Sequence, residues 1–306
     1  MDLIAGATGY VGSLLTKALV DSGRPVRALA RRPPVVDPGR MVEIVRGDVV
    51  KDQGLDAALE GCDVAYYLVH SMEAGTTSFE ARDRLAAENF VAACRRMGVD
   101  RVVYLGGIHP SGPLSPHMRS RLEVERILME GLPAATGLRA SIVIGAGSPS
   151  FRLMVRLIER IPVLPLPPWR DVRTQPVAEP DVIECLVRTP LIAAAAGRSI
   201  DIVGPDVLSY SEILRGIAAE LGIDRPEVEL PIFTPPAFAA VASRIAGADV
   251  DLVRGLMGSL GSDVLPRSER AAQEIEDLYN VRPLPFVRAV RRALADWERE
   301  EPLAAR

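Results

Sequence analysis

A glycine-rich turn near the start of the chain constrains the fold more than any other feature. The sequence LIAGATGYVGSLL places Gly6, Gly9 and Gly12 between a short apolar run and a longer amphipathic segment. The apolar run predicts a strand, and the apolar residues that follow recur with the period of a helix. A strand that passes through three glycines into a helix predicts an anion site, because N–H groups at the helix start lack partners.

The first half of the chain repeats this alternation of strands and helices. Short apolar runs predict buried strands at Leu3–Ala5, Val26–Ala30, Val42–Val45, Val64–Val69 and Val102–Leu105. Helical periodicity fills 10–23 and 79–98, and the second segment has Leu85, Ala86 and Phe90 in its apolar stripe. The alternation predicts an α/β fold, a Rossmann-type doubly wound parallel sheet.

The pattern loosens after the fifth predicted strand. Its predicted elements are a helix at Arg121–Met129, strands at Ser141–Ile144 and Ser199–Val203, and a helix at Tyr210–Leu221 capped by Ser209. We expect a nucleotide-binding domain over 1–203 with an irregular, proline-rich insertion at 162–180. Residues 204–306 are expected to form a smaller, mostly helical lobe that caps the substrate.

Composition excludes several classes of protein. The chain has 306 residues, of which 48% are apolar and 25% charged, and its net charge of −4 argues against nucleic acid as a partner. No apolar run approaches the ~20 residues of a membrane span. Met1 leads almost directly into the first strand, so no signal peptide is expected, and the three cysteines form no CxxC pair. We expect a cytoplasmic monomer or homodimer that acts on a small molecule.

The end of the second predicted strand indicates which nucleotide binds. An NAD site places an acidic residue there, which binds the ribose 2′-hydroxyl. This strand ends ALARRPP, so Arg31 and Arg32 occupy that place. A guanidinium binds a 2′-phosphate through charge-assisted hydrogen bonds, whereas a carboxylate repels it. The sequence therefore favours NADP(H), although at least one of the two arginines could be solvated surface charge.

The motifs together resemble the atypical short-chain dehydrogenase/reductase superfamily, and within it the NmrA-like NAD(P)H-binding group. The resemblance is carried by GATGYVG, ARRP, GDV, YYLVHSM, RVVYLGG, SRLEVERIL, LRASIVIGAGS and RTQPVAEPDV, and it extends to about residue 185. It implies that Asp48 and Val49 lie near adenine and that Leu68, Val69 and His70 line the nicotinamide side. The cofactor-binding residues expected in full are Gly6, Thr8, Gly9, Tyr10, Val11, Arg31, Arg32, Asp48, Val49, Leu68, Val69, His70 and Gly106.

The usual catalytic residues of that superfamily are missing. Its typical members carry a serine after the fifth strand and a Tyr-x-x-x-Lys pair on the next helix. Here the fifth predicted strand ends Leu105-Gly106-Gly107, and none of the six tyrosines has a lysine four residues later. Lys17 and Lys51 are the only lysines of the chain.

The segment HPSGPLSPHMRSRLEV supports two interpretations. In the first, His117 and Arg121 replace the missing pair: histidine donates a proton near neutral pH, and arginine holds ribose or phosphate or stabilises an anion. In the second, His117 only begins a helix and Arg121 lies on the surface. Their spacing of four places them on one helical face, and Leu122 and Val124 are expected to reach the core.

An irregular segment and a later proline-rich stretch are candidates for a substrate site. PPWRDVRTQP contains Trp169, Arg173 and Gln175, which the resemblance places near the nicotinamide, and PIFTPPAFAAV adds Phe233. An apolar lining with a few polar groups suits a partly apolar substrate, although the aromatics could equally be core of the lobe. The three histidines fit no metal motif, so no metal site is expected.

Two functions remain open at this point. The first is an NADPH-dependent oxidoreductase that reduces a small to medium, partly apolar electrophile such as a quinone or a conjugated alkene. The second is a non-catalytic NAD(P)H-binding protein, either a redox sensor or an accessory subunit. The missing serine, tyrosine and lysine favour the second, and a formed apolar pocket beside the nicotinamide would favour the first.

Overall fold

The structure, a computed structural model, describes most of the chain. The described residues are 1–32, 39, 41–69, 79–110, 112–166, 169–229, 235–247, 249–257, 261–299, 301 and 303. His70 and Phe233, two of the predicted site residues, lie outside these ranges.

Seven parallel strands form the central sheet, as the sequence predicts. They are β1 (Asp2–Ala5), β2 (Val26–Ala30), β3 (Val42–Arg46), β4 (Val64–Tyr67), β5 (Arg101–Gly107), β6 (Thr136–Ala140) and β11 (Ser199–Ile202). Their order across the sheet is β11-β6-β5-β4-β1-β2-β3. The order reverses direction between β1 and β4, and in such sheets ligands bind outside the carboxyl ends of the strands at this point.

Within the described residues, six short strands pair outside the central sheet. They are β7 (Val143–Ile144), β8 (Leu164–Leu166), β9 (Arg173–Thr174), β10 (Val177–Ala178), β12 (Leu208–Ser209) and β13 (Glu227–Glu229). β10 pairs with β7, β12 with β9 and β13 with β8. The predicted irregular insertion at 162–180 therefore contains three of these strands.

Helices cover both faces of the sheet. Those of the first two thirds of the chain are α1 (Tyr10–Asp21), α2 (Leu55–Leu59), α3 (Phe79–Met97), α4 (Pro116–Gly131), α5 (Pro149–Arg160) and α6 (Glu179–Arg188). One apolar cluster joins α1 and α6 to the sheet, and a second joins α2, α3 and α4 to its other face. The doubly wound architecture expected from the alternating pattern is confirmed.

The last third of the chain is mostly helical. Its helices are α7 (Tyr210–Glu220), α8 (Pro235–Ala246), α9 (Val250–Met257), α10 (Ala271–Tyr279) and α11 (Phe286–Glu298). Ser209 accepts a hydrogen bond from the Glu212 backbone N–H, which forms the predicted cap of α7. A third apolar cluster packs α5 against α7 and α11, around Phe151 and Trp297. The domain boundary at residue 203 stays a prediction.

Three details of the sequence reading were wrong. The sixth strand of the sheet is Thr136–Ala140 and not Ser141–Ile144, of which only Val143–Ile144 is extended. Leu85 of α3 is 44% exposed and Leu122 of α4 is 37% exposed, so neither reaches the core. Both lie outside the buried face of their helices, where an apolar residue is tolerated on the surface. Among the described residues, no helix is long and apolar enough to cross a membrane.

Candidate functional site

The glycine turn after β1 is shaped by close backbone contacts. Gly6 has a φ of +96°, and a Cβ built on it would lie 2.7 Å from the Leu68 carbonyl oxygen at the end of β4. A Cβ on Gly12 would lie 2.1 Å from the Gly6 carbonyl oxygen, far inside van der Waals contact. Only glycine fits at these two positions, so the turn can pass tightly between β1 and β4.

The start of α1 is open to an anion. Gly9 is the N-cap residue, and no side chain caps the helix. The backbone N–H groups at this end are therefore presented with the positive end of the helix dipole, which favours a bound phosphate. Together with the close-packed glycines, this arrangement fits the pyrophosphate of a dinucleotide.

A cleft of about 770 Å³ opens beside this turn. It is lined by Thr8, Arg31, Arg32, Arg46, Gly47, Asp48, Lys51 and Gln53. Four of these residues are basic and one is acidic. The predicted cofactor residues Thr8, Arg31, Arg32 and Asp48 therefore meet at one cleft, at the carboxyl ends of β1, β2 and β3.

The turn after β3 is fixed by hydrogen bonds of its own backbone. Asp48 and Gln53 exchange two backbone hydrogen bonds, of 2.9 and 3.1 Å, and the Asp48 carboxylate accepts one from the Val50 N–H at 2.9 Å. Asn89 of α3 donates its side-chain amide to the carbonyl oxygens of Val49 and Val50, at 2.9 and 3.0 Å. These bonds hold one wall of the cleft in place without a ligand.

Tyr10, the first residue of α1, makes a contact that the sequence did not indicate. Its phenol donates a hydrogen bond to the carboxylate of Glu179, the first residue of α6. Its ring lies against Gly147, where a Cβ would come within 2.8 Å of the ring. Burial, together with the neighbouring carboxylate, raises the pKa of Tyr10 above its ordinary value, so the phenol stays protonated. The Tyr10 side chain therefore ties the start of α1 to α6.

His117 and Arg121 lie together on the first two turns of α4. The helix starts at Pro116 after the N-cap Ser115, whose hydroxyl accepts a hydrogen bond from the Met118 N–H at 3.2 Å. The Arg121 Nε donates to the His117 Nε2 at 3.2 Å. Burial, followed by the nearby Arg121 charge, lowers the pKa of His117 to about 4. The imidazole is therefore neutral at neutral pH and acts as an acceptor toward Arg121.

The end of β5 packs closely under α4. Tyr104 is buried, and its hydroxyl donates to the Arg121 carbonyl oxygen at 3.2 Å. A Cβ on Gly106 would lie 2.8 Å from the Tyr104 ring. Packing against this ring is therefore enough to require glycine at position 106, with no contribution from a ligand. Burial raises the pKa of Tyr104 to about 12, which makes it a poor proton donor. The contact with a cofactor expected for Gly106 stays a prediction.

The described substrate candidates are engaged in contacts within the protein. Arg173 donates from its Nη2 to the Asp263 carboxylate at 2.7 Å, and Gln175 is buried and donates to the Gly204 carbonyl oxygen at 2.6 Å. Trp169 is half-buried and packs beside a small apolar cluster that includes Leu157 of α5. These contacts position the segment, and its role toward a substrate stays a prediction.

Three residues of the site were not anticipated from the sequence. Arg46 and Lys51 line the cleft, and Glu179 contacts Tyr10 at the start of α1. Arg46 ends β3, and β3 pairs with β2, which carries Arg31 and Arg32 at its own carboxyl end. In a doubly wound sheet the third strand lies beside the second, and this order could have indicated that Arg46 lies near Arg31 and Arg32.

Among the described residues, no group of His, Cys, Asp or Glu side chains is arranged to hold a metal ion.

The parallel sheet, the glycine turn and the open helix start are together the features of an NAD(P)H-binding fold. Residues 6–142 of this chain match the model of an NAD(P)H-binding family. The NAD(P)H-binding part of the resemblance drawn from the sequence motifs is thereby confirmed.

Reductases and dehydrogenases are among the relatives of the chain. It is 28% identical to a ceramide reductase of Caulobacter vibrioides over 236 residues, which are 74% of this chain and 73% of that protein. It is 31% identical over 111 residues to a 3β-hydroxysteroid dehydrogenase/Δ5→4-isomerase of Mycobacterium tuberculosis, a match that spans 33% of this chain and 30% of that one.

Solved structures support the fold. A nucleoside-diphosphate-sugar epimerase from Staphylococcus aureus superposes with a TM-score of 0.77 at 14% identity, covering 95% of this chain and 99% of the epimerase. At this identity the likeness concerns the fold alone.

Proposed function

We propose that the chain is an NADPH-dependent oxidoreductase that reduces a partly apolar, electrophilic acceptor. The observation that carries the proposal is the cleft beside the glycine turn, lined by four basic residues. The turn would hold the pyrophosphate, and Arg31 and Arg32 would hold the 2′-phosphate of the adenosine. Asp48 and Val49 would lie along the adenine. When bound, NADPH supplies the hydride for a two-electron reduction.

Arg121 is the residue proposed to assist the reaction. The structure gives its guanidinium one side-chain hydrogen bond within the described residues, from Nε to His117. The two terminal amino groups remain available to donate to negative charge that develops on an acceptor oxygen. His117, neutral at neutral pH, holds the guanidinium in orientation. Water then supplies the proton, which suits an acceptor that is already electrophilic.

The names of the relatives support an apolar acceptor. A ceramide reductase and a hydroxysteroid dehydrogenase are named for large, mostly hydrocarbon molecules that carry an oxygen function. Trp169 and Phe233 would provide apolar surface for such a molecule, and the lobe over 204–306 would cover it. A quinone, an enone or a ketone on an apolar body therefore fits the proposal.

A non-catalytic NAD(P)H-binding role is the second candidate. The pKa of His117, lowered to about 4, favours it, because a neutral imidazole that already accepts from Arg121 is a weak proton donor. The sequence also lacks a tyrosine followed by a lysine four residues later. Such a protein would bind NADPH as tightly as an enzyme but would not oxidise it.

Calorimetry and an acceptor screen test the proposal. We expect NADPH to bind at least about tenfold more tightly than NADH, as a charge-assisted 2′-phosphate site should allow. The loss of the NADPH absorbance band then measures the oxidation of NADPH in the presence of quinones, enones and ketones of increasing apolar size. Arg121→Met should lower turnover at least about tenfold, whereas Arg119→Met, an exposed neighbour on α4, should leave turnover unchanged. Tight NADPH binding without oxidation by any acceptor would decide for the second candidate.

A further inference from the structure

Three basic side chains from the region of β2 and β3 meet at the cleft with no carboxylate paired to them among the described residues. Arg32 follows β2, Arg46 ends β3, and Lys51 lies in the turn after β3. All three are exposed, and none of their side chains has a hydrogen-bond or ion-pair partner within the described ranges. Asp48 is the one carboxylate of the lining, and it accepts a hydrogen bond from the Val50 N–H.

Near the amino ends of β2 and β3, by contrast, the basic side chain has a carboxylate partner. Arg27 of β2 lies opposite Glu43 of β3, and the two form an ion pair with a distance of 2.8 Å. At the carboxyl end, Arg46 lies opposite Ala30, with no carboxylate across from it. Like charges that converge in one cleft repel each other, so their concentration at this end indicates an anion that would neutralise them.

The turn that carries Lys51 is built rigidly. A Cβ on Gly47 would lie 2.5 Å from the Gln53 carbonyl oxygen, and one on Gly54 would lie 2.4 Å from the Arg46 carbonyl oxygen. Gly54 also has a φ of +72°, a conformation that favours glycine. The close packing brings the turn back against the end of β3. Lys51 and Arg46 are therefore held at one wall of the cleft.

We propose that Arg46 and Lys51 form the second half of a phosphomonoester site, which takes the 2′-phosphate of NADP(H). This inference rests on the proposed NADPH function. Arg31 and Arg32 would contact the phosphate from the β2 side, while Arg46 and Lys51 would contact it from the β3 side. Arginine offers a planar fork and lysine a compact charge, and both suit a dianionic phosphate. The site is separate from the pyrophosphate site at the start of α1.

Binding of two small nucleotides tests the proposal without any reaction. Adenosine 2′,5′-bisphosphate carries the 2′-phosphate and ADP does not, so calorimetry with both isolates this group. We expect Arg46→Gln/Lys51→Gln to lower the affinity for the 2′,5′-bisphosphate at least about tenfold and to leave the affinity for ADP within about twofold. Lys17→Gln/Arg299→Gln removes the same net charge outside the cleft and should leave both affinities unchanged.

The outcomes separate this inference from the proposed function. If the native protein prefers the 2′,5′-bisphosphate and the Arg46/Lys51 variant keeps that preference, the inference is overturned while the NADPH preference stands. If the native protein binds both nucleotides equally, the preference for NADPH itself is wrong. Circular dichroism and urea unfolding of the variant establish that it folds.

The scarcity of lysine permits an independent measurement. Pyridoxal 5′-phosphate condenses with a lysine amine, water leaves, and added borohydride reduces the resulting C=N bond to a stable amine. Lys17 and Lys51 are the only lysines, so peptide mass mapping assigns each label unambiguously. We expect NADPH to protect Lys51, and ADP to protect it less, while labelling of Lys17 stays constant. Labelling of Lys51 that is unaffected by NADPH would overturn the proposal.

Discussion

Gly12 has the strictest steric requirement of the three turn glycines. A Cβ at this position would lie 2.1 Å from the Gly6 carbonyl oxygen, and these are backbone atoms that cannot rotate away. We expect Gly12→Ala to destabilise the protein by about 1–3 kcal/mol through overpacking and to abolish NADPH binding by displacing α1 from β1. Urea unfolding and calorimetry measure the two effects.

Gly261→Ala is the matched control for that substitution. A Cβ on Gly261 meets no atom within 4 Å, so this variant should keep native stability and binding. If Gly12→Ala bound NADPH as tightly as the native protein, the turn would not require glycine here, and its proposed role in holding the pyrophosphate would be wrong.

His117 should make the stability of the protein depend on pH. Its pKa is lowered from 6.5 to about 4 in the folded state, so between these values the unfolded chain binds a proton that the folded protein does not. The contribution is fully present above pH 6.5 and is lost as the pH falls toward 4. We expect a loss of about 2 kcal/mol in unfolding free energy between pH 7 and pH 5 from this residue.

His117→Gln isolates that contribution, because glutamine does not titrate and all other groups are shared. Urea unfolding of both proteins at pH 7 and pH 5 should show that the native protein loses more stability than the variant by about 2 kcal/mol. An equal loss in both would mean that His117 titrates normally and would remove the physical basis for its role as a neutral partner of Arg121.

Among the elements, β1 to β5 could be predicted from the sequence, whereas β6 could not. β1 through β5 are short apolar runs in the sequence, and each forms where the pattern indicates. β6 reads TGLRA, and its arginine suggests a solvated segment. In the fold, Glu125 of α4 neutralises Arg139 at 2.8 Å, so the charge is tolerated beside the sheet. Hydrophobic periodicity carries no information about such a distant partner.

The candidate site was predictable where its residues follow one strand directly. Arg31 and Arg32 follow β2, and the glycines follow β1, so local sequence was sufficient. Arg46 and Lys51 join them only because β3 lies next to β2, a neighbour relation set by the topology of the sheet. The contact between Tyr10 and Glu179 joins residues 169 positions apart, and its pattern is visible only in three dimensions.

Across the whole molecule, charge is distributed unevenly. The chain carries a net charge of −4, yet its cleft is lined by four basic residues and one acidic residue. Many arginines elsewhere in the described residues are paired with carboxylates, as Arg27 is with Glu43 and Arg139 with Glu125. An anionic ligand would therefore be repelled by most of the surface and attracted by the cleft, which favours its encounter at the correct place.

The buried pair of Glu125 and Arg139 connects three elements of the fold. Glu125 on α4 accepts from the Arg139 Nε on β6 at 2.9 and 3.0 Å, and from the Ser199 hydroxyl on β11 at 2.5 Å. Their side chains are only 4% and 12% exposed. We expect Arg139→Met alone to cost about 3–5 kcal/mol of unfolding free energy, because it leaves the buried carboxylate uncompensated.

Replacing both partners should cost less than the two single changes added together. Glu125→Leu/Arg139→Met removes both charges and fills the space with apolar atoms, so a double-mutant cycle by urea unfolding should give a coupling of at least about 1 kcal/mol. Arg126 and Glu130, an exposed pair of the same residue types on α4 with a distance of 2.5 Å, provide the control. Their coupling, from Arg126→Met and Glu130→Leu, should stay near 0.3–0.5 kcal/mol, since water screens the pair. Equal couplings for the two pairs would show that burial does not strengthen the Glu125–Arg139 interaction, and β6 would then owe its place in the sheet to apolar packing alone.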